Sequence, residues 1–153
     1  MPEKTQKLVV PYLTIAGAVA AIAHYKKAFG AKEVMRMPGA DGKRLMHAEI
    51  EINGHSIYLS DDFPEYAGGA SRAPDKSPSS PVTMFVQLTL PKEVDQWIAR
   101  AVKAGAKVTM AAADQFWGDR FGSIRDPFGH HWAFGAPLPK AKKAPAKRAK
   151  KKK

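Results

Sequence analysis

The sequence predicts an α+β domain built from two βαβββ modules in succession. Three observations carry this prediction. An apolar, β-branched stretch followed by a helix-period segment occurs twice, at residues 8–29 and again at 82–104. Each helical segment is followed by short alternating stretches of strand composition. The two best hairpin signals, Asn53-Gly54 and Asp126-Pro127-Phe128-Gly129, close the last strand pair of each half. The two halves barely match in sequence, but their element orders do.

Taken in order, residues 1–7 form a polar arm, and Leu8 to Ile15 reads as a strand. Pro11 within it marks an edge strand or a bulge, because proline gives no N–H to a ladder. Gly17 ends the strand. Ala18 to Phe29 places Val19, Ile22, Ala23, Lys26 and Phe29 at helical spacing, and Gly30 suits the C-cap. Lys32 to Met37 is a strand, and Pro38 to Gly42 a turn. Arg44 to Ile52 alternates, with Met46, Ala48, Ile50 and Ile52 on one face and His47, Glu49 and Glu51 on the other. His55 to Asp61 returns as the next strand and ends the first module, residues 8–61. Residues 62–81 hold Gly68-Gly69, serines and four prolines without apolar period, which reads as a linker or mobile loop.

The second module spans residues 82–137. Val82 to Leu90 is a strand, and Pro91 to Ala104 a helix with Val94, Trp97, Ile98, Ala101 and Val102 on its apolar face. Gly105 caps it, Lys107 to Ala112 is a strand, and the Asp126 turn joins Arg120–Arg125 to His130–Phe134. Within that turn Pro127 fixes φ, the Asp126 carboxylate can bond the amides ahead, and Gly129 supplies a positive φ.

Composition narrows the function classes. The chain has no cysteine, which excludes disulfides, a thiolate nucleophile and a cysteine zinc site. No apolar run approaches membrane-spanning length and the N-terminus has no signal core, so the expectation is a cytoplasmic protein without membrane contact. The net charge of +11 belongs to the end of the chain: residues 140–153 hold nine Lys and Arg, leaving 16 basic against 14 acidic residues before them. The body is nearly neutral, and the basicity is a tail. Residues 138–153, rich in Pro, Ala and Lys, are expected to be disordered.

The words Val10-Pro11-Tyr12-Leu13, Ala21 to Ala31, Val94-Asp95 through Ala106, and Gly118-Asp119-Arg120 through Trp132 resemble the vicinal oxygen chelate superfamily of glyoxalases, bleomycin-resistance proteins and extradiol dioxygenases. The resemblance is greatest to its PhnB-like branch. It covers residues 8–136 and implies a curved, barrel-like sheet of eight strands with helices outside, a ligand cavity inside, and a homodimer. Metal-dependent members bind a divalent ion through side chains at positions that align here with Val10, Tyr58, Thr83 and Ala133. Alkyl chains cannot ligate such an ion, and neutral Thr or Tyr are poor ligands. Asp61 and His131 are the nearest substitutes. The expectation is therefore no metal cofactor, with a divalent metal held at a displaced site as the alternative.

If Val10 and Tyr58 mark the cavity face, strand alternation adds Tyr12, Thr14, His47, Glu49, Phe85, Gln87 and His131 to it, an aromatic and mixed polar wall suited to a small molecule. His47 and Glu49 share a strand face, so Glu49 could orient His47 as a general base, or both could simply be wall. Trp117 and Arg120 sit in a segment that is either a lid, with Trp117 stacking and Arg120 pairing with an anion, or a packing corner with Arg120 bridged to Asp126 or Asp119. His130 either anchors a ligand or satisfies nearby backbone; His24, Tyr25 and His55 read as packing or surface residues. In the tail, Lys142, Lys143, Lys147, Arg148 and Lys150, Lys151, Lys152, Lys153 could contact nucleic-acid phosphates weakly and without sequence preference, or merely solubilise the chain. The function expected first is small-molecule binding in the sheet cavity without the standard metal. Lyase or dioxygenase chemistry, and a dimeric platform presenting the tail to nucleic acid, are the alternatives.

Overall fold

The computed structural model describes residues 8–75, 77 and 79–140. The first module runs β1 (Tyr12–Ile15), α1 (Ala18–Phe29), β2 (Lys32–Pro38), β3 (Leu45–Ile52) and β4 (His55–Asp61). The second runs β5 (Thr83–Gln87), α2 (Pro91–Lys103), β6 (Lys107–Asp114), β7 (Asp119–Arg125) and β8 (His131–Pro137). The strands form two curved four-stranded sheets, ordered β1-β4-β3-β2 and β5-β8-β7-β6, which do not close into a barrel. In each sheet the first strand runs parallel to the last, and every other pair is antiparallel. Among the described residues no helix is long and apolar enough to cross a membrane. The N-terminal arm and the tail cations Lys142 to Lys153 lie outside the described residues.

The elements follow the sequence closely, and the differences have local causes. β1 begins at Tyr12 rather than residue 8, since Pro11 has no N–H and Leu8 and Val9 stay exposed. β5 ends at Gln87 because the chain turns there towards α2, whose first residue is Pro91. The loop between the modules contains a short 3-10 turn at Pro64–Tyr66.

The helices start by different means. α2 carries Glu93 in its first turn, and that carboxylate accepts the Thr89 and Leu90 N–H groups at 3.2 and 2.7 Å. α1 has no such residue; its Gly17 and Ala18 N–H groups are met at 3.0 and 2.9 Å by Asp61, at the far end of β4. Asp61 also accepts the Leu45 N–H at 2.7 Å, so one buried carboxylate caps a helix and ties three elements.

The core lies between the helices and the inner faces of both sheets. Tyr25, Trp132, Phe134, Ile22, Ile50 and Ile124 are all but fully buried, and Phe29 packs against Trp97, Trp132 and Phe134. The modules are joined through this layer. Asp126, 3% exposed, accepts from the Tyr25 hydroxyl of the other module at 2.5 Å, from Trp132 Nε1 at 2.9 Å, and from the Phe128 and His130 N–H groups at 2.9 and 3.0 Å. His24 Nδ1–H donates to the Ala104 carbonyl and Arg100 Nε–H to that of Lys27, so α1 and α2 are bound side by side.

Candidate functional site

The site begins with two strand edges. Pro11 O accepts the Tyr58 N–H, so along β1 the backbone groups of Tyr12 and Thr14 turn away from β4. Leu88 N–H donates to Gly135 O, so those of Gln87 turn away from β8. Side chains of the opposite module meet these outward groups. His130 Nε2–H donates to Thr14 O at 2.9 Å, and Asn53 Nδ2–H donates to Gln87 O at 3.0 Å. Each module's last hairpin therefore pins the free edge of the other module's first strand. Between the pins lies a cleft of about 860 Å³, with Val9, Val10 and Pro11 on one side, Val82, Thr83 and Phe85 on the other, and Ile57 and Trp132 behind. That volume falls in the ordinary range for a small-molecule site.

Two clusters flank the cleft on the sheet faces turned away from the helices. On the first module Tyr12, His47 and Tyr58 come together, with ring centroids 5.1 to 5.8 Å apart and every pair edge-on. The Tyr12 hydroxyl hydrogen-bonds His47 Nδ1 at 2.8 Å, and partial burial raises the Tyr12 phenol above its ordinary pKa. Glu49 does not orient His47: its carboxylate takes its hydrogen bond from Ser56 Oγ at 2.8 Å. A two-residue offset placed both on one face, but the tyrosine two strands away came nearer to the imidazole.

On the second module Phe85 stacks on Phe121 at 6.3 Å and 12°, and Trp117 stands edge-on to Phe121 at 5.8 Å. Phe85 and Trp117 are each 50% exposed. Phe85 leans across β8 at Gly135, where a Cβ would meet the ring at 2.8 Å. One row towards the hairpin, Thr83, His131, Arg125 and Lys107 are register partners across the four strands. Gln87 lines the cleft and donates its side-chain amide to the Leu88 and Gly135 carbonyls.

Arg120 belongs to the other face. Its guanidinium holds both Asp95 oxygens, at 2.6 and 2.8 Å, and Asp114 at 2.8 Å, which binds β7 to α2 and β6. Of the two roles open to it, Arg120 takes the packing corner, but bridged to Asp95 and Asp114 rather than to Asp126 or Asp119, because α2 and β6 bring those carboxylates to it. Trp117, three residues earlier in the turn, stands edge-on to Phe116 and Phe121. Sequence reasoning passed over Asn53 as a side chain, and it passed over Phe121 and Arg125. Alternation along the strand that ends at Arg125 was sufficient to find the last two.

Two βαβββ modules set against each other across an open cleft define a class of paired-module proteins. The chain belongs to the Glyoxalase/Bleomycin resistance protein/Dioxygenase superfamily, whose model matches residues 13–134. An uncharacterized protein of Mycobacterium bovis is 47% identical over 128 residues, covering 84% of this chain and 82% of that protein. The YjdN protein of Escherichia coli is 25% identical over 142 residues, covering 80% and 90%. Among solved structures, a gene product of Arabidopsis thaliana is 29% identical with a TM-score of 0.63, over 85% of this chain and 98% of that one. The PhnB protein of Bacillus cereus, 15% identical with a TM-score of 0.64 over 87% and 100%, shares the fold.

Proposed function

We propose that this protein binds a small organic molecule in the cleft between β1 and β5, as a PhnB-like member of its superfamily, without the standard metal. The observation that carries this is the cleft itself, about 860 Å³, apolar along both sides and open to solvent. The donor set supports the metal-independent part. Val10, Tyr58, Thr83 and Ala133, where the resemblance puts metal ligands, offer one phenol, one hydroxyl and two alkyl chains. These do not fit a divalent ion. Among the described residues no three His, Asp or Glu side chains gather at one point. A second reading, proton-transfer chemistry, draws on the Tyr12–His47 hydrogen bond rather than on a His47–Glu49 pair.

A homodimer accompanies the reading: Met37 on β2 and Trp117 in the turn before β7 lie exposed, and a second copy would cover them. Gel filtration at micromolar concentration tests that part. The binding site is tested with nile red, a neutral apolar dye. One saturable site per chain is expected, lost in Thr83→Trp, which fills the cleft from β5. Absence of saturable binding, or binding untouched by Thr83→Trp, overturns the cleft as the site. Tight stoichiometric uptake of nickel, zinc, manganese or iron(II), abolished by His47→Ala or His131→Ala, overturns the metal-independent reading.

A further inference from the structure

The row of side chains at the hairpin end of the second module has unusual polar accounting. Arg125 and His131 stand directly opposite each other on β7 and β8, where side chains are about 5 Å apart at Cβ. Arg125 spends one terminal nitrogen on the Asp75 carbonyl at 3.0 Å. Its Nε–H and the Nε2 of His131 are both buried and have no hydrogen-bond partner among the described residues. A guanidinium Nε–H can only donate, so it calls for an acceptor, and a buried donor without one needs an explanation. Arg125 takes part in no ion pair among the described residues. Thr83 extends the row towards the cleft and Lys107 ends it on the far side, so the row holds no acid.

The next rows on the same face are aromatic. Phe85 is two residues from Thr83 on β5, a step of about 7 Å along a strand. Its half-exposed ring is held flat by Gly135 beneath it and Phe121 beside it. Cationic donors thus stand one row from a stacking platform, and Thr83 and Phe85 both border the cleft.

Building on the cleft-binding reading, we infer that the ligand is a planar aromatic anion. Its ring lies against Phe85 and Phe121, and its carboxylate or other oxyanion is received by Arg125 and His131. Arginine's planar fork suits such an oxyanion, and a charge-assisted bond in a half-buried row contributes more than one in open water. The opposite sign of ligand would meet Glu49 and Glu51 on the first module's face. Glu49 already accepts from Ser56, whereas the donors on the second module lack a partner.

The test is calorimetry of the full chain against 2-naphthoate, 2-naphthylmethylammonium and nile red. The tail is common to every variant, so its contribution cancels in the comparison. The naphthoate is expected to bind one per chain and more tightly than the cation. Arg125→Gln should weaken it about tenfold or more and leave nile red unchanged. Phe85→Leu should weaken both naphthyl probes, and Lys92→Gln, on the outside of α2, should change nothing. If Arg125→Gln does not fold by circular dichroism, His131→Leu takes its place with the same expectation. Wild-type protein that binds the cation as tightly as the anion overturns the inference, as does naphthoate affinity untouched by the Arg125 and His131 variants. Nile red binding without naphthoate binding overturns it alone; failure of all three probes overturns the cleft reading with it.

Discussion

Replacing Asp126 with alanine should cost more stability than any other single polar change in the second module. The carboxylate receives four donors, two of which, the Tyr25 hydroxyl and Trp132 Nε1, belong to side chains that are 0% and 1% exposed. Neither can turn to water when the acceptor is removed. A stranded buried donor costs roughly 1–3 kcal/mol, so two give about 2–6 kcal/mol; the amides of Phe128 and His130 lie in a part-buried turn and add less. The middle of that range is about 4 kcal/mol. Against a usual total of roughly 5–15 kcal/mol, that is about a quarter or more of the fold's stability.

Urea unfolding followed by both circular dichroism and tryptophan fluorescence measures it. A double-mutant cycle sharpens the test. Tyr25→Phe alone should cost about 1–1.5 kcal/mol, but close to nothing once Asp126 is alanine, because the orphaned hydroxyl leaves with it. A loss below about 1 kcal/mol for Asp126→Ala, or strictly additive variants, would refute the claim that this carboxylate joins the modules.

Three further outcomes are expected. Asp61→Ala strands the Gly17, Ala18 and Leu45 N–H groups and should cost about 2–3 kcal/mol in urea titration, with exchange of the first-turn amides of α1 accelerated. Gly122→Ala drives a Cβ to 2.5 Å from Ile98 Cδ1 and 3.0 Å from the Ala112 backbone, so about 1–3 kcal/mol should be lost; an unchanged melting temperature would contradict the packing of α2 on β7. Burial lowers the His24 pKa below its ordinary 6.5, outweighing the Ala104 hydrogen bond and the Asp126 charge. The unfolded chain therefore takes up that proton first, and this contribution to stability is complete above about pH 6.5 and lost as pH falls through the folded value. His24→Gln should flatten the stability profile just below pH 6.5, measured by urea midpoints across pH; an unchanged slope counts against a neutral, buried His24.

Much of the site was legible because strand alternation is a local rule. Counting residues in twos assigns Tyr12, His47, Tyr58, Phe85 and His131 to a cavity face; in the register Tyr12 stands beside Tyr58, and His131 beside Thr83, two residues from Phe85. Partners were another matter. His47 was matched with Glu49 because they are close along one strand, yet its hydrogen bond comes from Tyr12, 35 residues away. Arg120 alternates onto the helix side, but only the approach of α2 supplies Asp95 to hold it there.

The sequence alone determined the element order, both hairpin turns, the absence of thiol chemistry and the location of the surplus charge. All of these depend on residues within a few positions of one another. Tertiary structure decided which distant groups meet: Asp126 with Tyr25, His130 with Thr14 and Asn53 with Gln87 across the modules, and Asp61 with the start of α1 within the first. These pairs are 34 to 116 residues apart, and hydrogen bonds at that separation leave no periodicity in a chain. The cleft has the same origin. It exists because two strand edges, each ordinary by itself, are held apart by side chains from the opposite module.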